Sequence, residues 1–166
     1  AGIFITNALV AELIGGKLIY IGDVVMSLGI LPWPIVFITT DLINEYFGEK
    51  GVKKLSFITA GLIAYTFFLL LIGLQIPAVK GNGLITDEQF TAVFGQSMWI
   101  IVGSITAFLV SQLIDVTIFH FVKNRTGKKM IWLRSTGSTI VSQLIDSFIV
   151  SGIAFSSFII SAELFF

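Results

Sequence analysis

Asp41, Asn44 and Glu45 stand together in an otherwise apolar run, and Ser-Gln-Leu-Ile-Asp occurs twice, at 111–115 and 142–146. Asp41 and Glu45 are four residues apart and Asn44 is three from Asp41, so on a helix the three share one face. Gln112 with Asp115, and Gln143 with Asp146, repeat the three-residue spacing, and Ser111 and Ser142 precede each acid by four. A charged side chain near the centre of a membrane helix costs about 2.5–3.5 kcal/mol on insertion scales, so such residues usually mark a pathway, a proton relay or a ligand site. Lipid satisfies none of these groups, which directs their faces inward.

The elements that must hold these groups are membrane helices. The chain is 55% hydrophobic and 12% charged, with mean hydropathy +0.98 and 16 Phe, against about 25% charged residues in soluble domains. No charge falls between Lys54 and Lys80 or between Glu88 and Asp115, and each gap exceeds the roughly 20 residues that a spanning helix needs. The fold class expected is all-α, a polytopic transmembrane helical bundle forming one domain over 1–166. Five spans are predicted, at 2–17, 30–47, 52–76, 98–122 and 131–158. Gly15-Gly16 would end the first, Pro32 and Pro34 open the second, and Pro77 stop the third. Asn82-Gly83 with Gly81 reads as a turn.

Charge asymmetry orients the bundle. Lys50, Lys53 and Lys54 lie in one connection, and Lys123, Arg125, Lys128, Lys129 and Arg134 in another, leaving only Lys17 and Lys80 elsewhere. The positive-inside rule makes the rich side cytoplasmic, with a cytoplasmic N-terminus. At 1.5 Å per residue, Asp41, Asp115 and Asp146 fall about 14, 12 and 18 Å from that edge. Three helices are thus expected to bring acids to one midplane layer. Hydrogen-bonding glue between helices would explain a lone Gln or Ser. It explains three acids less well, since ionised carboxylates carry no donors and need a proton, a cation or a ligand with donors.

Zero net charge and the lack of a basic tail give no reason to expect nucleic-acid binding, and the absence of cysteine excludes disulfides and thiolate metal sites. No signal peptide is evident: the first apolar run holds Asn7 and Glu12 with no basic segment before it. The chain opens without Met and ends on Phe165-Phe166, so trimmed ends are expected and the helix count is a lower bound.

The run at 34–48, Pro-Ile-Val-Phe-Ile-Thr-Thr-Asp-Leu-Ile-Asn-Glu-Tyr-Phe-Gly, and that at 132–147, Trp-Leu-Arg-Ser-Thr-Gly-Ser-Thr-Ile-Val-Ser-Gln-Leu-Ile-Asp-Ser, resemble the queuosine precursor transporters, also called the vitamin uptake transporter family. The motif at 111–115 matches too. Glu12-Leu13-Ile14-Gly15-Gly16-Lys17 is similar to a family region in which Asn takes the place of Glu12. The resemblance covers most of the chain and is weakest over 151–166. It implies a six-helix inner-membrane carrier that imports the 7-deazaguanine bases preQ0 or preQ1 for tRNA modification, one helix more than is visible here.

The residue chemistry suits that substrate class. A guanine-like edge offers N1–H and an exocyclic amine to a carboxylate, its O6 needs a donor such as Asn or Gln, and the cationic aminomethyl group of preQ1 suits a second acid. Trp33, Phe37, Tyr46 and Phe119 offer flat faces. The substrate-binding set expected is therefore Asp41, Asn44, Glu45, Gln112, Asp115, Gln143 and Asp146, with Trp33 as a stacking face. Arg134 reads either as a positive-inside anchor or as a cation partner for Asp41 or Glu45. His120 reads as a satisfied interfacial histidine. The partners expected are a small purine-like molecule and the bilayer, with a homo-oligomer compatible and no cofactor, metal or nucleic acid. Proton symport and facilitated diffusion both fit the acids. The competing function is a substrate-binding membrane subunit with a separate energising partner. An intramembrane aspartyl enzyme and a membrane scaffold are weaker readings, since no Gly-x-Gly-Asp signature is present and a scaffold has no need of the acids.

Overall fold

Helix α1 (Gly2–Ile14) stops three residues short of the expected end. The chain then forms an unforeseen antiparallel hairpin, β1 (Leu18–Ile21) with β2 (Val24–Ser27), paired Leu18 to Ser27 and Ile21 to Val24. The cause is local: Gly22-Asp23 is a two-residue turn with Gly22 at φ 63°, flanked by the β-branched and aromatic residues that strands favour. The Ser27 hydroxyl donates to the Gly15 carbonyl at 2.7 Å and ties the hairpin to the end of α1. A single 3-10 turn (Leu28–Ile30) leads into α2 (Trp33–Leu74). The computed structural model describes residues 1–79, 81, 83–95, 98–126 and 130–163. Lys80, Asn82, Lys128, Lys129, Phe165 and Phe166, which figure in the loop-charge, turn and chain-end expectations, lie outside the described residues.

Two spans were expected within the length of α2, and the backbone separates them at Gly48, whose φ 70° and ψ −177° are not helical. Val36 from the first half shares one apolar core with Ile63 and Phe67 from the second. In a straight helix Val36 and Phe67 would stand about 46 Å apart, so the chain folds back at Gly48. Only glycine adopts this backbone region readily, and nothing lies within 4 Å of where a Cβ would sit. The turn is therefore a conformational requirement and not a packing one.

Beyond α2, a short helix α3 (Asp87–Phe94) was not foreseen. It opens with a capping box in which the Thr86 hydroxyl accepts from the Gln89 N–H and the Gln89 side chain accepts from the Thr86 N–H. Helices α4 (Met98–Thr126) and α5 (Ile131–Glu163) complete the bundle and run past their expected ends.

Burial is inverted relative to a soluble domain. Ile38, Leu42, Phe57, Phe68, Ile140, Leu144 and Phe148 are exposed, whereas Thr40, Asn44, Ser111, Gln112, Asp115, Arg134, Ser138 and Ser142 are buried. Soluble proteins almost never bury such groups while exposing long apolar helix faces. Among the described residues, Leu28–Leu74 and Ile100–Thr126 are long and apolar enough to cross a membrane. This is a helical membrane protein with one small hairpin added.

Candidate functional site

Residues 33–47 of α2 run alongside α4 and meet α5, and the polar face predicted for Asp41, Asn44 and Glu45 is the face they share. Contacts descend in register. Thr40 Oγ1 lies 3.5 Å from Gln112 Oε1, Asn44 Oδ1 lies 2.7 Å from His120 Nε2, and Glu45 Oε2 accepts from Lys123 Nζ at 2.9 Å. From α5, Arg134 Nη2 donates to the same Glu45 oxygen at 2.8 Å, and the Ser135 hydroxyl donates to Asp41. Arg134 is fully buried and its guanidinium carbon stands 5.2 Å from the Phe119 ring centroid, so a carboxylate and an aromatic face together hold one buried cation. Of the two roles open for Arg134 from sequence, the partner contact is the one seen, with Glu45.

Between α4 and α5 the two repeated motifs face each other. Asp115 Oδ1 lies 3.4 Å from both the Thr139 and Ser142 hydroxyls. Ser111 stands close to Asp146, with its hydroxyl donating to the Phe108 carbonyl at 3.1 Å. Asp146 in turn interacts electrostatically with Glu12 of α1, which accepts from the Ser104 hydroxyl. Among the described residues, Asp41 Oδ1, Asn44 Nδ2 and Asp115 Oδ2 are buried with no hydrogen-bond partner. A buried polar atom without a partner costs about 1–3 kcal/mol, more when charged, which a donor-bearing ligand or a proton removes.

Asp41, Asn44, Glu45, Gln112, Asp115, Asp146 and Arg134 therefore belong to one continuous polar column. Two expected members stand apart from it. Gln143 is half-buried, and its backbone carbonyl accepts from Ser147 at 2.8 Å. Trp33 stacks on Phe37 at 5.6 Å and packs against Phe108 at 6.2 Å, in an aromatic cluster with Phe4 and away from the basic end. The column as a whole is longer than one layer. Along α4, the groups from Ser104 to Lys123 cover about 28 Å, close to a hydrocarbon thickness of about 30 Å.

His120, Lys123, Glu12, Ser104 and Ser135 were not foreseen as members. Helical phase offered a signal for Lys123, eight residues after Asp115. Nothing local marks Glu12, which depends on a contact between residues 92 positions apart.

A family described as "Putative vitamin uptake transporter" matches residues 27–165. The chain is 33% identical over 133 residues to a Bacillus subtilis protein named "Probable queuosine precursor transporter", covering 78% of this chain and 56% of that one. A Haemophilus influenzae protein of the same name is 27% identical over 130 residues, covering 76% and 51%. The chain thus spans about half the length of these curated relatives. No solved structure matches it. With residues 27–165 matched, the chain belongs to the vitamin uptake transporter family.

Proposed function

We propose that the protein is a carrier of the cytoplasmic (inner) membrane that imports the 7-deazaguanine bases preQ0 and preQ1, with the polar column as its path. The observation that carries this reading is the Asp115 carboxylate, buried at 1% exposure between α4 and α5 with Oδ2 unpartnered. The Thr139 and Ser142 hydroxyls lie 3.4 Å from the other oxygen and Ser138 stands close to the carboxylate, and Oδ2 itself can accept from an N–H edge. Asp41 offers a second such oxygen. The relatives' names support the substrate class.

In this reading Asp115 and Asp41 accept the donor edge of the base, Asn44 and Gln112 orient its polar rim, and Glu45 with Arg134 and Lys123 closes the basic end. That end faces the cytoplasm by the loop-charge argument, with the N-terminus on the same side, and the complete carrier has six helices. Asp41, Asp115 and Asp146 receive hydroxyl donors, while Lys123 and Arg134 pair with Glu45 and Arg134 also acts electrostatically on Asp41. For Asp115 and Asp146 a proton or a cationic ligand is the natural neutraliser in a dry bundle, which makes proton-coupled uptake the expected energetics.

Uptake of radiolabelled preQ0 and preQ1 into proteoliposomes, with and without an inward proton gradient, tests this. Saturable uptake competed by neither adenine nor cytosine, and accelerated by the gradient, is expected. Absence of uptake for both bases rejects the substrate, and gradient-independent uptake rejects the coupling.

A further inference from the structure

The two Ser-Gln-Leu-Ile-Asp segments touch reciprocally. Ser142 of the second reaches Asp115 of the first at 3.4 Å, and Ser111 of the first, whose hydroxyl donates to the Phe108 carbonyl, stands close to Asp146 of the second. A shift of 31 residues carries each contact into the other, as in an isologous pair about a two-fold axis. The likeness extends past the motif: 104–119 and 135–150 are identical at eight of sixteen positions.

The same shift carries Ser104 to Ser135, and these two serines make the same kind of contact. Ser104 donates to Glu12 of α1, and Ser135 donates to Asp41 of α2. Each acid opens the same short run, Glu12-Leu13-Ile14 and Asp41-Leu42-Ile43. Directions agree as well. Residues 33–47 run parallel to α4, since Thr40 meets Gln112 and Glu45 meets Lys123. Helix α1 runs antiparallel to α4, since Glu12 meets Ser104 while Phe4 meets Phe108 further along. An operation that exchanges α4 with α5 and α1 with the first half of α2 therefore reverses every helix, and its axis lies across the bundle. Transporters build central sites at the interfaces of such inverted repeats.

We infer that α1 with α4, and the first half of α2 with α5, form an inverted pair, and that Glu12 with Ser104 is the far-end counterpart of Asp41 with Ser135 on one substrate path. Each serine lies eleven residues before the motif acid of its own helix, about 16 Å. The two acid–hydroxyl stations thus flank the Asp115–Asp146 centre evenly, and Asp115 Oδ2, buried and unpartnered, sits between them. A donor-bearing ligand would meet equivalent carboxylates on entering from either end. Glu12 is a specificity-determining residue in this account. The inference rests on the carrier reading for its ligand but not for its symmetry.

The test has two arms on the full chain. In oriented proteoliposomes, Glu12→Gln is expected to raise the KM for preQ1 entering from the end distant from Lys123 by about tenfold, the worth of one charge-assisted hydrogen bond, and to leave the KM from the basic end unchanged. Asp41→Asn, which also loses an acceptor for the base, is expected to raise the KM more from the basic end than from the far end, and Glu12→Asp to restore part of the Glu12→Gln loss. Independently, the cysteine-free background allows the pairs Glu12→Cys with Ser104→Cys and Asp41→Cys with Ser135→Cys, and both are expected to cross-link on oxidation. Equal KM changes at both ends, or failure of either cross-link in folded protein, overturns the inference. If both cross-links form while wild type moves no preQ1, the carrier reading and the shared path fail and the inverted pair alone stands.

Discussion

Arg134, 1% exposed, donates to Glu45 at 2.8 Å, while the Glu45 side chain is 38% exposed and also accepts from Lys123. The pair is unequal: the cation is buried and the anion is half in solvent. Removing the anion takes a carboxylate partner from a buried guanidinium, whereas removing the cation leaves an exposed carboxylate that keeps its lysine.

Glu45→Gln is therefore expected to cost more stability than Arg134→Gln. Loss of one partner from a buried pair costs about 3–5 kcal/mol, and the exposure of Glu45 places this case near about 2–3 kcal/mol. The double variant should recover part of the loss, with a coupling energy of about 1 kcal/mol or more. Denaturant unfolding of the four proteins in detergent measures the cycle; additive losses would show that the contact is not energetically coupled.

Gly48 carries a backbone conformation that other residues avoid. Gly48→Ala should destabilise by about 1–3 kcal/mol although its Cβ meets nothing. Gly137, inside α5 with open space around it and no positive φ, provides the contrast: Gly137→Ala should stabilise by about 0.5–1 kcal/mol through helix propensity. Thermal unfolding of the two variants side by side gives opposite shifts if the turn is as described.

Thr86→Ala removes the hydroxyl that accepts from the Gln89 N–H at 3.3 Å. The loss of about 1 kcal/mol belongs to α3 alone. Hydrogen exchange should quicken within 87–94 and stay unchanged in α4 and α5.

Much of this was legible in the sequence because hydrocarbon forbids alternatives. The helical bundle, the division near Gly48 and the shared face of Asp41, Asn44 and Glu45 follow from composition, glycine and phase. What the sequence concealed depends on pairing. The hairpin at 18–27 fell in the connection left between the spans 2–17 and 30–47, and Gly22-Asp23 with its apolar flanks was the local signal for it. Glu12 appeared isolated because its partner Ser104 is 92 residues away. His120 was placed correctly near a helix end, yet only the fold brings it to Asn44. The ends of the column were hidden because Glu12 with Ser104 and Glu45 with Lys123 meet only across helices. Trp33 was chosen for its ring type, and packing instead assigns that ring to Phe37 and Phe108.

Direct binding of preQ0, preQ1 and guanine to the purified full chain, beside Asp115→Asn, tests the central claim. The variant keeps the side-chain volume and an acceptor for Thr139 and Ser142, so the fold should survive while the charge is lost. The account predicts selective binding of the deazaguanines by wild type and about a tenfold or greater loss for preQ1 in Asp115→Asn. Equal affinity of the two proteins for preQ1 would contradict it.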